Sequence, residues 1–334
     1  MIKRLKSKRG FDLPFSWIFA IIAGAFIILI SIYATTKFIN VGKNYGYALN
    51  AKTIDNILGP VVNGLASGSA YPPIQFNKET RIYLGCEASS SQSPLFGRQT
   101  LGFSEESGLG KKWTPPENNI SRYNKYVFGR SVMQAKKFYI FSKPFFLGYK
   151  VEDLVYFIPA SDNYCFVNAP ENVEYTMRSF GFSNINLTTR ISSCPTNSII
   201  TCFDFSDSFC EIKVEYDNSE NPEIGRIIRE GTTDNYAGES LLYAGIFSSA
   251  DIYRCNIARL GIKINILAKI YLDKIELVRE KDCGSLIEPH LNFIAQNSNS
   301  MTSQKLGEIY DEAVLMNQKN CDASCPIYAC ESAF

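Results

Sequence analysis

One histidine, two tryptophans and five methionines occur in the 334 residues of this chain. The scarcity of histidine excludes a great deal. Any Ser-His-Asp or Cys-His site would have to use His290, in Glu288-Pro289-His290, and no G-x-S-x-G elbow accompanies it. We read His290 as a surface or loop residue. Net charge is scarce as well: 34 basic side chains stand against 33 acidic ones, a balance of +1. A dedicated nucleic-acid binder carries a basic excess, so no nucleic-acid partner is expected. There is no phosphate loop. Gly108-Leu109-Gly110-Lys111-Lys112 has Glu105 where the upstream glycine belongs and Lys112 where Ser or Thr belongs. Glu105 and Glu106 are sequence neighbours, and such neighbours cannot face each other across a cleft as paired glycosidase carboxylates do. No catalytic residue and no cofactor is expected. With 46 % hydrophobic residues the chain is too apolar to be disordered, and its length allows one large or two ordinary domains.

The N-terminus carries an address. Residues 1–12 form a basic flank with Lys3, Arg4, Lys6, Lys8 and Arg9, and residues 13–34 then lack any charged side chain. A helix of that length spans roughly 33 Å, enough for the apolar core of a bilayer. Asp12 can cap it, Pro14 suits its first turn, and Trp17 and Tyr33 lie near its two ends as interfacial aromatics do. The run is too long for a cleaved secretory peptide and has no convincing exit site. The basic flank belongs in the cytoplasm, which places the bulk of the chain outside the cell membrane as a single-pass protein. Without residues 1–34 the chain has 29 basic and 32 acidic side chains, a balance that advertises no anionic partner.

Lys8-Arg9-Gly10 followed by Phe11 and a long apolar helix resembles the class III signal of type IV pilins and archaeal pilin-like proteins. The resemblance covers about thirty residues. It implies cleavage between Gly10 and Phe11 and a retained helix that packs into a filament core. The fifth residue after Gly10 is Phe15, where bacterial pilins have glutamate, so the archaeal form fits better. Lys136–Phe157 and Tyr243–Tyr271 are similar to segments of uncharacterised single-pass membrane proteins of small-genome archaea. That likeness implies a location and a class, and no activity.

All ten cysteines, Cys86, Cys165, Cys194, Cys202, Cys210, Cys255, Cys283, Cys321, Cys325 and Cys330, follow the apolar run. An even number on the oxidising side of a membrane reads as disulfides. Cys194, Cys202 and Cys210, eight apart, should staple strands or a loop, and the Cys321-x3-Cys325-x4-Cys330 tail could close back on Cys283 or Cys255. Cys321, Cys325, Cys330 and His290 are the alternative zinc set, with disulfides preferred. Asn119-Ile120-Ser121 and Asn186-Leu187-Thr188 make Asn119 and Asn186 candidate glycosylation acceptors.

Beyond the apolar run, residues 35–66 predict a stalk helix, interrupted by Gly42, Gly46 and Pro60. Residues 67–334 are the exterior domain. It opens with a Gly/Ser/Pro linker over 66–79 and a strand at 81–84. A long loop over 87–122 follows, and then a β-rich stretch over 125–216. Strict alternation of Cys210, Ile212, Val214 and Tyr216 with charged residues marks a half-buried strand. Pro170 and Gly181 bracket a helix, Ser249 opens another that runs to about 281, and a third covers 303–319. The aromatics crowded between 138 and 157 read chiefly as core. The expected fold is α+β: a transmembrane helix, then an antiparallel-sheet exterior domain with C-terminal helices, stapled by disulfides. The expected role is structural or partner-binding, through a protein partner or self-assembly at the cell surface. A membrane-anchored hydrolase of cell-envelope polymers is the alternative.

Overall fold

The computed structural model describes residues 16–35, 37, 70–88, 95–106, 113, 119–205, 207–218, 221–279, 286–321, 323 and 326–329. The chain divides into two compact units, Met1–Asn50 and Ala51–Phe334. In the first, helix α1 (Ser16–Thr35) has a mean hydropathy of 2.5 and is long and apolar enough to cross a membrane, a test that a signal sequence also passes. Its few polar groups are satisfied internally: Ser31 donates to the carbonyl of Ile27 at 2.8 Å and Thr35 to that of Ser31 at 2.7 Å. The expected cleavage at Gly10–Phe11 lies outside the described residues, as does the stalk expected over 35–66 apart from Thr35 and Lys37.

The second unit is α+β. Its elements are β1 (Ile74–Glu87), β2 (Arg98–Glu105), β3 (Asn119–Arg122), β4 (Tyr126–Phe128), β5 (Val132–Leu147), β6 (Tyr149–Pro159), β7 (Tyr164–Val167), α2 (Glu171–Phe180), β8 (Ile185–Thr188), β9 (Ile199–Phe203), β10 (Ile212–Asn218), β11 (Asn221–Arg229), β12 (Thr232–Ala237), α3 (Gly238–Phe247), α4 (Ala250–Arg279), α5 (Glu288–Ser298) and α6 (Leu306–Cys321). They form two six-stranded sheets, ordered β3-β2-β1-β5-β6-β4 and β12-β11-β10-β9-β7-β8. Both are mixed, which corrects the expected antiparallel sheet: β4 runs parallel to β6, and β7 runs parallel to both β8 and β9. The reason lies in the crossovers. Helix α2 connects β7 to β8, and a helical crossover returns the chain in the same direction.

The aromatic density of β5 and β6 has a simple cause. Both strands are buried on both faces, and the period of two sends alternate residues to different cores. Tyr139 and Phe141 of β5, with Leu154, Tyr156 and Ile158 of β6, join the main core. Phe138 and Ile140, with Val155 and Phe157, join a smaller one completed by Phe76, Ile82, Leu101 and Phe103. Phe141 is the hub of the main core: it stacks on Tyr156 at 4.3 Å and meets Tyr243 and Phe247 edge-on. The β5–β6 hairpin turns at Gly148, whose φ of +76° and closeness to the Tyr328 hydroxyl leave no room for a side chain.

The Pro-start, Gly-stop helix is α2, with Pro170 extended before it and Gly181 left-handed after it. Helix α4 begins after Ser249, as expected, and α6 follows a short 3-10 turn over Ser303–Lys305. Other expectations need correction. The loop expected over 87–122 contains β2 and β3, held by main-chain pairing, β2 to β1 and β3 to β2, rather than by any strong side-chain period. Strand β1 already begins at Ile74, inside the expected linker. Helices α3 and α5 were not foreseen; α3 is buried along most of its length and so has no polar face to betray it.

Candidate functional site

The site begins where the two sheets meet. After β12 the chain turns at Gly238, with φ +76°, directly into α3, and this turn sets Glu239 in the first turn of the helix. A carboxylate there is favoured by the helix dipole. Three side chains from three elements converge on it. Lys143 of β5 pairs with it, Thr176 of α2 donates at 2.8 Å, and Tyr243, one turn along α3, donates to the same oxygen as Thr176. Burial, with Glu239 beside it, holds the Tyr243 hydroxyl well above the ordinary tyrosine range, so it remains a donor.

Next to this cluster lies a cleft of about 210 Å³, lined by Lys143, Phe145, Phe146, Glu223, Glu239, Ser240 and Tyr310. Tyr310 of α6 donates to Glu223 of β11 and is likewise kept protonated, first by burial and then by that hydrogen bond. The cleft thus contains two carboxylates, each held by a tyrosine hydroxyl, and one ammonium. It can accept a ligand rich in hydroxyls or one carrying a positive charge.

A second cavity, of about 180 Å³, is lined by Arg130, Tyr164, Glu211, Arg229, Glu230 and Ser249. Its arginines are engaged elsewhere. Arg130 pairs with Asp162, and Arg229 bonds the carbonyl of Gly245 at 2.7 Å and pairs with Asp234.

No protein-family model, curated protein or solved structure matches this chain. The site therefore rests on its own geometry.

His290 is neither at the surface nor in a loop, contrary to expectation. It is buried in the first turn of α5, with Nδ1 2.7 Å from Glu312 and Nε2 2.7 Å from Lys319, both on α6. An ammonium can only donate, so Nε2 accepts from Lys319 and Nδ1–H donates to Glu312. The histidine ties two helices together and has neither nitrogen left for catalysis or for zinc.

Three disulfides join pairs of described residues: Cys86–Cys255, Cys165–Cys194 and Cys202–Cys210. Cys255 is therefore taken by β1 and not by the C-terminal tail, which corrects one of the two closures considered. Cys202 and Cys210 close a loop between neighbouring strands, as their spacing suggested. Cys321 is also disulfide-bonded, which with the engaged His290 leaves neither available to the alternative zinc set. Cys283, Cys325 and Cys330 lie outside the described residues. Glu105 ends β2, its backbone paired with Thr80, and the backbone of Glu106 bridges to Trp113. The stretch 107–112, with its glycine-lysine pattern, lies outside the described residues.

Sequence reasoning missed the Glu239 cluster altogether. Lys143, Thr176, Glu223, Glu239 and Tyr310 are separated by up to 167 residues and share no motif. The one available signal was Lys143 itself, a charge within the aromatic half of β5, between Phe141 and Phe145.

Proposed function

We propose that this chain is a membrane-anchored, extracytoplasmic protein with a structural or partner-binding role, its most specific form being a pilin-like subunit of a surface assembly. The observation that carries the reading is the pairing of an unburied apolar helix with a disulfide-stapled domain in one chain. Disulfides of this kind persist in oxidising compartments, and a basic flank before the helix orients the rest of the chain outward. The test is the intact mass of native protein extracted in detergent, before and after reduction. Loss of residues 1–10 supports the pilin-like form. A full-length chain with formed disulfides supports a plain anchor, and a chain with free thiols overturns the exterior location.

One observation favours a second reading, an anchored hydrolase of cell-envelope polymers: Glu223 and Glu239 line the same cleft. Paired carboxylates across a cleft are what glycoside hydrolysis requires. The test is release of reducing ends from purified envelope polymer by the intact protein and by its Glu239→Gln and Glu223→Gln variants. Release abolished by either substitution supports the hydrolase; no release by the parent protein ends it.

A further inference from the structure

The two sheets end in four strands, and an open strand edge is a template for pairing with another chain. Two of the four are covered by α4. At β4, Asn256 donates to the carbonyl of Val127 at 2.9 Å, and Tyr253 packs its ring 6.3 Å from that of Phe128. At β12, the Tyr253 hydroxyl donates to the carbonyl of Asn235 at 2.7 Å, and Arg254 reaches that of Thr233. One helix thus occupies an edge of each sheet.

The other two edges are β3 and β8. Each pairs with one strand, β2 and β7 respectively. Among the described residues no helix side chain is bonded to the backbone of either strand itself; Arg259 of α4 bonds the carbonyl of Tyr123, one residue past β3. These are also the two strands that carry the Asn-x-Ser/Thr pattern: β3 begins at Asn119-Ile120-Ser121, and β8 contains Asn186-Leu187-Thr188. In β8, Ile185 and Leu187 pack against the main core, so strand alternation turns Asn186 to the opposite face. Asn186 is half-buried, and its amide has no hydrogen-bond partner among the described residues.

We propose that Asn119 and Asn186 are both N-glycosylated and that the glycans close the sheet edges at β3 and β8, the two end strands that α4 does not cover. In the transfer, asparagine Nδ2 bonds to the anomeric carbon of a lipid-phosphate-linked oligosaccharide. The bond from that carbon to phosphate breaks, the lipid phosphate leaves, and Nδ2 gives up one proton. A bulky, hydrated sugar beside a four-residue strand excludes a second strand sterically, where charge or proline would do so in other proteins. The inference rests on the exterior location proposed above, since the transferase works on that side of the membrane.

The test is peptide mapping by mass spectrometry of the full-length chain purified from its natural host under non-reducing conditions. It is followed by size-exclusion chromatography in detergent of the Asn119→Gln, Asn186→Gln and double variants. Both asparagine peptides are expected to carry a glycan. Each single variant should lose one glycan mass, and the double variant should elute as larger species than the parent. Unmodified asparagines in a protein whose disulfides are formed overturn the inference and leave the exterior location standing. Unmodified asparagines together with free thiols overturn both. Glycans whose removal leaves the elution unchanged overturn their role at the sheet edges. The peptide map of the unaltered protein needs no variant to fold.

Discussion

Cys86 in β1 is bonded to Cys255 in α4, across 169 residues of sequence, and so ties the first strand of the second unit to its longest helix. Four residues further along α4, Arg259 is buried beneath the same strand layer. Its guanidinium donates to the carbonyls of Phe96 and Tyr123 at 2.8 and 3.0 Å and to the side chains of Gln99 and Asn256. It also lies over the Tyr126 ring at 4.7 Å. Disulfide and arginine together fix α4 against the first sheet.

Removing this disulfide should cost more than removing either of the others. The chain-entropy estimate is about 5 kcal/mol for a loop of this size and about 2.5 kcal/mol for the short Cys202–Cys210 loop. Urea unfolding of Cys86→Ser/Cys255→Ser and of Cys202→Ser/Cys210→Ser, under oxidising conditions, should rank the two pairs in that order.

Arg259→Lys should destabilise nearly as much as Arg259→Met. A lysine presents one point of charge and cannot reach carbonyls on two sides, so Phe96 or Tyr123 is stranded, at about 1–3 kcal/mol for a buried acceptor. The check is the urea midpoint of the two variants. A lysine variant close to the parent would mean that charge, not the planar fork, is what the site requires.

Gly261→Ala should separate α4 from the segment after α5. An added Cβ would stand 2.4 Å from the carbonyl oxygen of Ser298 and 2.4 Å from the Met301 Cβ. Neither can move without shifting backbone, so overpacking of about 1–3 kcal/mol is expected, read as a lower thermal midpoint.

Alkali should unfold the second unit. Burial raises the hydroxyls of Tyr126, Tyr149, Tyr156, Tyr164, Tyr236, Tyr253 and Tyr310 above their ordinary value. The unfolded chain therefore loses protons first, from about pH 10 upward, and stability present below that pH is lost as pH rises. Arg259, brought down to about 10 by burial, works in the opposite sense, as do Arg229 and Lys125, which burial also lowers; the tyrosines outnumber them. Tyrosinate absorbance should rise in one cooperative step together with loss of circular dichroism; separate early titration of these tyrosines would contradict their burial.

His290→Ala should weaken the α5–α6 contact by about 1–2 kcal/mol through loss of the Glu312 and Lys319 bonds, with no effect on membrane association. Thermal unfolding and membrane fractionation of the same variant check both halves.

Much of the architecture was legible because it follows from local rules. Pro170 and Gly181 bracket α2 whatever surrounds them, and the alternation through Val214 produces β10. Strands β2 and β3 were not legible, since stretches rich in Ser, Gly and Asn acquire strand structure only when a neighbour offers them a partner, β1 for β2 and β2 for β3. Helix α5 was hidden for a similar reason: Pro289 in its first turn reads equally well as part of a loop.

By itself the sequence determined the apolar helix, the cysteine-bearing unit after it and the α+β class, because hydropathy, composition and period are properties of consecutive residues. Tertiary structure alone decided which cysteines pair, which faces of β5 and β6 enter which core, and that Lys143, Thr176, Glu223, Glu239 and Tyr310 gather at one cleft. It also decided that the two glycosylation patterns fall on the end strands β3 and β8. Those outcomes depend on approaches between residues far apart in the chain, which are set by how the two sheets and α4 pack and leave no mark in any local stretch of sequence.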